Sequence, residues 1–218
     1  MQLELRASDY SPATMNLRNL IIGVISGIAL AAGFLLAMNV LQAPTENVRS
    51  ATILPATMEL PEFALIDHQG TAADQSFFEG QWDLVFFGFT HCPDVCPLTL
   101  QILQAAKKAL GEKQIDPLPR IVLVSVDPER DTPEVLGAYI NAFGDNNAGL
   151  TGELQQLRRL TSALGIYFEK VSAGENNYSI DHTSVVLVID PQGRFHSLFS
   201  SPHRIEDYAH DLPIILRR

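Results

Sequence analysis

From Leu20 to Leu41 the chain reads LIIGVISGIALAAGFLLAMNVL, with no charged residue and only Ser26 and Asn39 polar. A helix of about 20 such residues crosses the hydrocarbon core of a bilayer, so the run predicts a transmembrane anchor over residues 20–41. A cleaved signal peptide is the competing reading. Its apolar region is typically about 7–15 residues and ends at a small-x-small site, whereas Gln-Ala-Pro-Thr-Glu follows Leu41 here. Arg6 and Arg18 lie on the short N-terminal side and only Arg49 stands close on the other. Acidic residues count little in the positive-inside rule, so residues 1–19 are expected in the cytoplasm and everything beyond the anchor outside. Polar residues with scattered Pro, Ser and Thr from Gln42 to Pro55 predict a tether, which leaves 56–218 as one folded domain.

Within that domain strand and helix patterns alternate. Glu62–Asp67 (EFALID) alternates polar and apolar positions and ends in a His68-Gln69-Gly70 turn. Trp82–Phe89 (WDLVFFGF) and Arg120–Val126 (RIVLVSV) are short apolar runs of the kind buried strands carry. Helices are expected from Pro97 to Leu110, from Pro133 with Asp131 or Thr132 as N-cap, and from Leu154 to Leu164. Thr183–Asp190 (TSVVLVID) and Arg194–Ser200 (RFHSLFS) predict a hairpin about Pro191-Gln192-Gly193, and Arg204–Leu216 a closing helix. Such alternation gives an α/β sheet with helices on both faces.

Composition narrows the function. A formal net charge of −10, with only 15 Lys plus Arg in 218 residues, excludes a nucleic-acid partner, which needs a basic face. Two cysteines are too few for a disulfide scaffold or an all-cysteine zinc site. Both lie in Phe86–Pro97, FFGFTHCPDVCP, between a strand and a helix. Pro97 favours a helix start, so Cys96 is expected at or near the N-cap with Cys92 one turn earlier. The helix dipole there favours the thiolate, which is both nucleophile and metal ligand. A structural disulfide is the bland alternative, but it contributes little when it closes so short a loop.

Three stretches, FGFTHCPDVCP, SVDPERDTP and YSIDHTSVVLVID, together resemble the Sco (SenC) family of membrane-anchored, thioredoxin-like copper proteins, in that family's order and from about Pro61 to the C-terminus. The resemblance implies a thioredoxin-like fold and one copper, Cu(I) or Cu(II), held by Cys92, Cys96 and His182. It implies delivery of that copper to the binuclear copper centre of cytochrome c oxidase, thiol–disulfide chemistry on that centre's cysteines, or both. The implied partners are the subunit carrying that centre and a copper donor or thiol reductant. The implied address is the bacterial cytoplasmic membrane with the domain on the periplasmic side, or the mitochondrial inner membrane. Thr183 stands where the family more often has Ser.

Strand direction bears on the histidine. In a thioredoxin-like sheet the strand after the long excursion runs antiparallel to the one before the cysteines, so its beginning lies over them. His182 immediately precedes that strand, read as Thr183–Ile189, whereas His196 lies on the following one. Two thiolates and an imidazole suit Cu(I) and remain adequate for Cu(II). His91, beside Cys92, is the nearest rival ligand, and Asp181 can orient His182 or simply be solvated. The Asp127–Pro133 segment reads as a loop and helix cap at the site edge or as part of a docking surface. A thiol–disulfide oxidoreductase would more usually carry C-x-x-C. A peroxiredoxin would need Pro at 85 and Thr at 89, where this chain has Val85 and Phe89.

Overall fold

A computed structural model describes residues 17–41, 47–172 and 178–217. Most of the expected segment 1–19, and residues 42–46 of the expected tether, lie outside the described residues. The chain divides into two compact units at Glu46/Asn47. In the first, helix α1 (Leu17–Leu41) exposes Leu20, Ile22, Ile25 and Leu30. Among the described residues no helix is long and apolar enough to cross a membrane.

The second unit is built on an eight-stranded sheet. Its strands are β1 (Ala51–Glu59), β2 (Leu65–Asp67), β3 (Ala72–Ala73), β4 (Asp83–Gly88), β5 (Arg120–Ser125), β6 (Asn147–Thr151), β9 (Val186–Ile189) and β10 (Arg194–Phe199). They lie in the order β1-β10-β9-β4-β5-β6-β2-β3. A separate antiparallel hairpin joins β7 (Phe168–Ser172) to β8 (Tyr178–His182). β4 runs parallel to β5, and β5 to β6, while β9 pairs antiparallel on the other side of β4. This is the thioredoxin-like α/β arrangement. β4 and β5 are continuous apolar runs because both their faces are covered.

The helices are α2 (Val95–Glu112), α3 (Pro133–Asn141), α4 (Leu154–Ala163) and α5 (Ile205–Ile215). β4, β5 and β6 are successive parallel neighbours, so right-handed crossovers put α2 and α3 side by side on one face. α5 packs against α2. Leu160 and Leu164, at the C-terminal end of α4, meet Val85, Phe87, Leu187 and Ile189 on the opposite face. Side-chain alternation along β4 thus splits the core: Phe86 and Gly88 face α2, Val85 and Phe87 face α4. Leu100, Leu103, Ala106 and Leu110 form the buried stripe of α2.

Several boundaries differ from the sequence reading. The expected tether ends early, because Ala51–Glu59 is an edge strand paired with β10. α2 starts at Val95, so Cys96 is inside its first turn and Asp94 is the N-cap. β9 starts at Val186, and His182 closes β8 instead. For α3 the cap is Thr132, whose side chain accepts from the Val135 amide with Pro133 in the first turn.

What fastens β1 is Asp211, on α5. Its fully buried carboxylate accepts the backbone N–H groups of Arg49 (2.9 Å), Ser50 (2.8 Å) and Ala51 (2.8 Å), and lies 2.7 Å from His210 Nδ1. Burial works to raise its pKa, but these donors outweigh burial and hold it below the ordinary 3.8. The stability it contributes is therefore complete above about pH 4 and lost as pH falls through the depressed folded value. Asp211→Ala should cost about 2 kcal/mol at pH 7, lowering the melting temperature by roughly 4–8 °C. The difference from the parent should shrink in melts below pH 4.

Candidate metal centre

β4 ends at Gly88, and the loop that follows turns at once: the Cys92 amide donates to Phe89 O at 3.2 Å. The loop brings Cys92 back against the first turn of α2. There the Asp94 side chain makes no capping bond among the described residues, and the Cys92 sulfur lies 3.5 Å from the Cys96 amide that donates to it. Sulfur thus stands in for a cap oxygen at the helix N-terminus. Cys96 is completely buried and Cys92 half-buried, both unbridged. Gly88 makes room for the deeper sulfur: a Cβ there would lie 2.9 Å from Cys96 Sγ and 3.0 Å from the Phe86 ring.

His182 arrives from the end of the β7–β8 hairpin. Its Nε2 is 3.6 Å from Cys96 Sγ, and its Nδ1 is 3.2 Å from Thr183 O, which can only accept. Nδ1 therefore carries the proton and Nε2 turns its lone pair to the sulfurs. Phe86 and Phe89 hold the ring by edge contacts at 5.8 and 6.0 Å between centroids. Burial lowers the His182 pKa, against the opposing Thr183 bond and the Asp181 charge, which keeps the imidazole neutral. Burial also pushes the Cys96 thiol well above its ordinary value, with the Phe89 backbone bond opposing. The thiolate expected at the helix N-terminus is thus disfavoured at Cys96, and a metal there must displace a proton.

The ligand-type atoms of Cys92, Cys96 and His182 all lie within 4.8 Å of one another, the one such group of metal-binding side chains among the described residues. His91 is not in it. Its Nδ1 turns to Thr90 Oγ1 (3.0 Å) and toward Asp131 (3.7 Å). Asp181 is exposed, and the Thr183 carbonyl orients His182 in its place.

The turn between β5 and α3 holds both halves of this group. Asp131, fully buried, accepts from the Thr90 amide (2.9 Å), the Thr90 hydroxyl (2.5 Å) and the Ser125 hydroxyl (2.6 Å). It pins the start of the cysteine loop to the end of β5. Asp127 accepts from Tyr178 Oη at 2.8 Å and from Arg130 Nε. Arg130 also reaches Tyr178 O (3.2 Å) and lies 3.8 Å from the Tyr178 ring centroid. Lys170 of β7 bonds Glu129 at 2.8 Å. Tyr178, Ile180 and His182 share one face of β8, so the turn fixes the strand that presents the histidine. Sequence reading treated Asp127–Pro133 as a cap and loop. Its buried acceptors were missed, because a capping Asp and a network Asp look alike in a sequence.

The model of the SCO1/SenC family matches residues 52–217. The chain belongs to this family. It is 36% identical over 152 residues to the SCO2-like protein of Rickettsia felis, covering 67% of this chain and 73% of that one. Among solved structures it is similar to Arabidopsis thaliana ScoI with copper bound, at 29% identity and TM-score 0.68, covering 72% of this chain and 98% of that one. Bradyrhizobium japonicum ScoI with copper bound gives 33% identity and TM-score 0.63 over the same shares. In this SCO1/SenC chain the motif SVDPERDTP is a structural clamp on the CPDVC loop and on the strand that ends in His182. Asp131→Ala should leave Thr90 and Ser125 without their shared acceptor and cost about 2–4 kcal/mol. Hydrogen exchange should quicken at the Thr90 and Cys92 amides before it does so in α5.

Proposed function

We propose that the chain is a copper-binding SCO1/SenC protein that holds one copper ion through Cys92, Cys96 and His182 and delivers it to the copper centre of cytochrome c oxidase. The observation that carries this reading is the convergence of two sulfurs and one imidazole nitrogen within 4.8 Å. That donor set is soft and of low coordination number, which suits Cu(I), and Cu(II) is accommodated with an added ligand. The metal is copper, the ion held by the solved ScoI relatives. Here it is cargo. Cys96 lies at the base of the site, while Cys92 and His182 are only partly covered. An acceptor's ligands can therefore replace the outer two before the inner sulfur lets go.

A second reading concerns the same sulfurs. In it the Cys92 and Cys96 thiols pass two electrons and two protons to a client disulfide, which becomes two thiols, and the Cys92–Cys96 disulfide left behind offers no thiolate to copper. The chain then acts as a thiol–disulfide oxidoreductase on the cysteines of the copper centre or of another extracytoplasmic client. The half-exposed Cys92 favours this reading as the sulfur a partner's thiolate can attack. The apolar run over residues 20–41 supports a single-pass anchor that holds the domain on the outer side of the bacterial cytoplasmic membrane, or in the mitochondrial inner membrane.

Copper titration of the reduced full chain should give one ion per chain. Cys92→Ser, Cys96→Ser and His182→Ala should each weaken binding at least tenfold, and His182→Ala should affect Cu(II) more than Cu(I). His91→Ala should bind as the parent does; the reverse outcome for the two histidines would reassign the third ligand. The oxidised chain should bind no copper, and its midpoint potential should lie above about −300 mV. In cell fractionation the chain should stay in the membrane after alkaline carbonate washing. Recovery of a soluble form beginning near Ala43 would remove the anchor from the reading.

A further inference from the structure

The strand that ends in His182 and the strand that follows it are joined by Thr183, Ser184 and Val185. Two consecutive carbonyls of this link each meet an imidazole. Thr183 O accepts from His182 Nδ1 at 3.2 Å, and Ser184 O lies 3.1 Å from His203 Nε2. The first contact belongs to the metal centre as described. The second comes from a histidine just ahead of α5 that the centre has not used. A carbonyl can only accept, so His203 Nε2 carries the proton and Nδ1 keeps a lone pair. Tyr208 Oη, 2.8 Å from that nitrogen, is the donor that fills it. Burial lowers the His203 pKa against the opposing Ser184 bond. Burial, and then the Asp207 charge, push the Tyr208 phenol well up. The ring is thus neutral and the phenol protonated, as both bonds require. Tyr208 is itself fixed: it is completely buried in the first turn of α5, with its ring centroid 4.2 Å from that of Phe199 at the end of β10.

The peptide between Thr183 and Ser184 is therefore held on both sides. On one side the Thr183 amide donates to Tyr167 O (2.9 Å), and the Thr183 hydroxyl accepts from the Tyr167 amide (3.0 Å). On the other, His203 holds Ser184 O. A planar peptide can still turn by opposite rotations of the ψ before it and the φ after it, with little change in the path of the chain. Fixing Thr183 alone leaves that rotation open. Fixing the next carbonyl as well closes it, and Thr183 O keeps its direction on His182 Nδ1.

We propose that His203 is a positioning residue for the metal centre: by holding Ser184 O it fixes the carbonyl that sets the tautomer and plane of the His182 ring. This rests on the copper reading above. Two thiolates already suit Cu(I), whereas Cu(II) depends on the imidazole. The hold that His203 exerts is therefore felt mainly by the oxidised ion.

Two variants that differ in reach test the proposal. His203→Asn keeps an oxygen to which Tyr208 can donate and is too short for Ser184 O. His203→Gln extends an amide N–H to where Nε2 stands. The reduced full chain and both variants are compared in detergent by nitrogen–proton correlation spectra of the metal-free imidazole rings. Chelator competition for Cu(I) and Cu(II) and metal-free thermal melting complete the comparison. In the parent and in His203→Gln, His182 should show one tautomer, protonated at Nδ1. In His203→Asn it should show both tautomers, with Cu(I) affinity retained. Cu(II) affinity should fall about tenfold there, the lower end for losing a group that orients a ligand. A single parent-like tautomer in His203→Asn, or a parent-like Cu(II) affinity, would overturn the proposal. A lowered melting temperature beside either result would make His203 a packing residue. Equal losses in His203→Asn and His203→Gln would overturn it too, since the donor to Ser184 O would not be the cause. Should His203→Asn not fold, His203→Leu combined with Tyr208→Phe removes both polar partners together, and the same outcomes decide. A parent chain that takes up no copper would sink the copper reading, while the His182 tautomer would still show whether His203 holds that ring.

Discussion

Asp131 places a carboxylate where water does not reach and meets it with three donors, two from Thr90 and one from Ser125. A buried charge of this kind persists only if its hydrogen bonds are complete. Completing them forces Thr90, two residues after β4, to lie beside the end of β5. Cys92 is two residues further on, so the first sulfur is located by a carboxylate 39 positions away in sequence. Asp127 and Arg130 of the same turn grip Tyr178 and thereby set the far end of the strand that finishes in His182. One seven-residue turn thus registers the cysteine loop against β8.

How much of this was legible before the coordinates followed from what each residue type reveals in one dimension. β4, β5, β10 and α4 announced themselves through apolar runs or periodicity and were found within a few residues of their bounds. β6, NAGLT, carries almost no apolar signal although all five residues are buried; small side chains let α3 approach, as at Gly149, where a Cβ would meet Leu136 at 2.5 Å. β1 contains Pro55 and follows a polar stretch, so it read as tether, yet edge strands tolerate proline. The β7–β8 hairpin was missed because its half-buried residues alternate weakly. For the centre itself, the cysteine spacing and the direction of β9 were readable. The work of Gly88, Thr90, Ser125 and Asp127 was not, because burial and long-range partnership leave no local trace.

Two opposing influences act on the sulfurs. The N-terminus of α2 offers its N–H groups and favours negative charge, while complete burial of Cys96 resists it. At this sulfur burial wins. The consequence is an inner thiol that stays protonated until a strongly bonding ion takes the proton's place, next to a more accessible partner. Such a division leaves one sulfur open to exchange and the other shielded from it.

The register of β1 decides at which end of the sheet the chain enters the domain. Ala51 lies opposite Phe199, Phe199 opposite Val186, and Val186 opposite Phe86, so the chain enters the sheet at the edge where β4 ends and the cysteine loop begins. The Asp211 carboxylate grips it at that entry. A pull on the chain at its entry to β1 is therefore borne at the end of the sheet that carries the sulfurs, not at the opposite pole around Pro191.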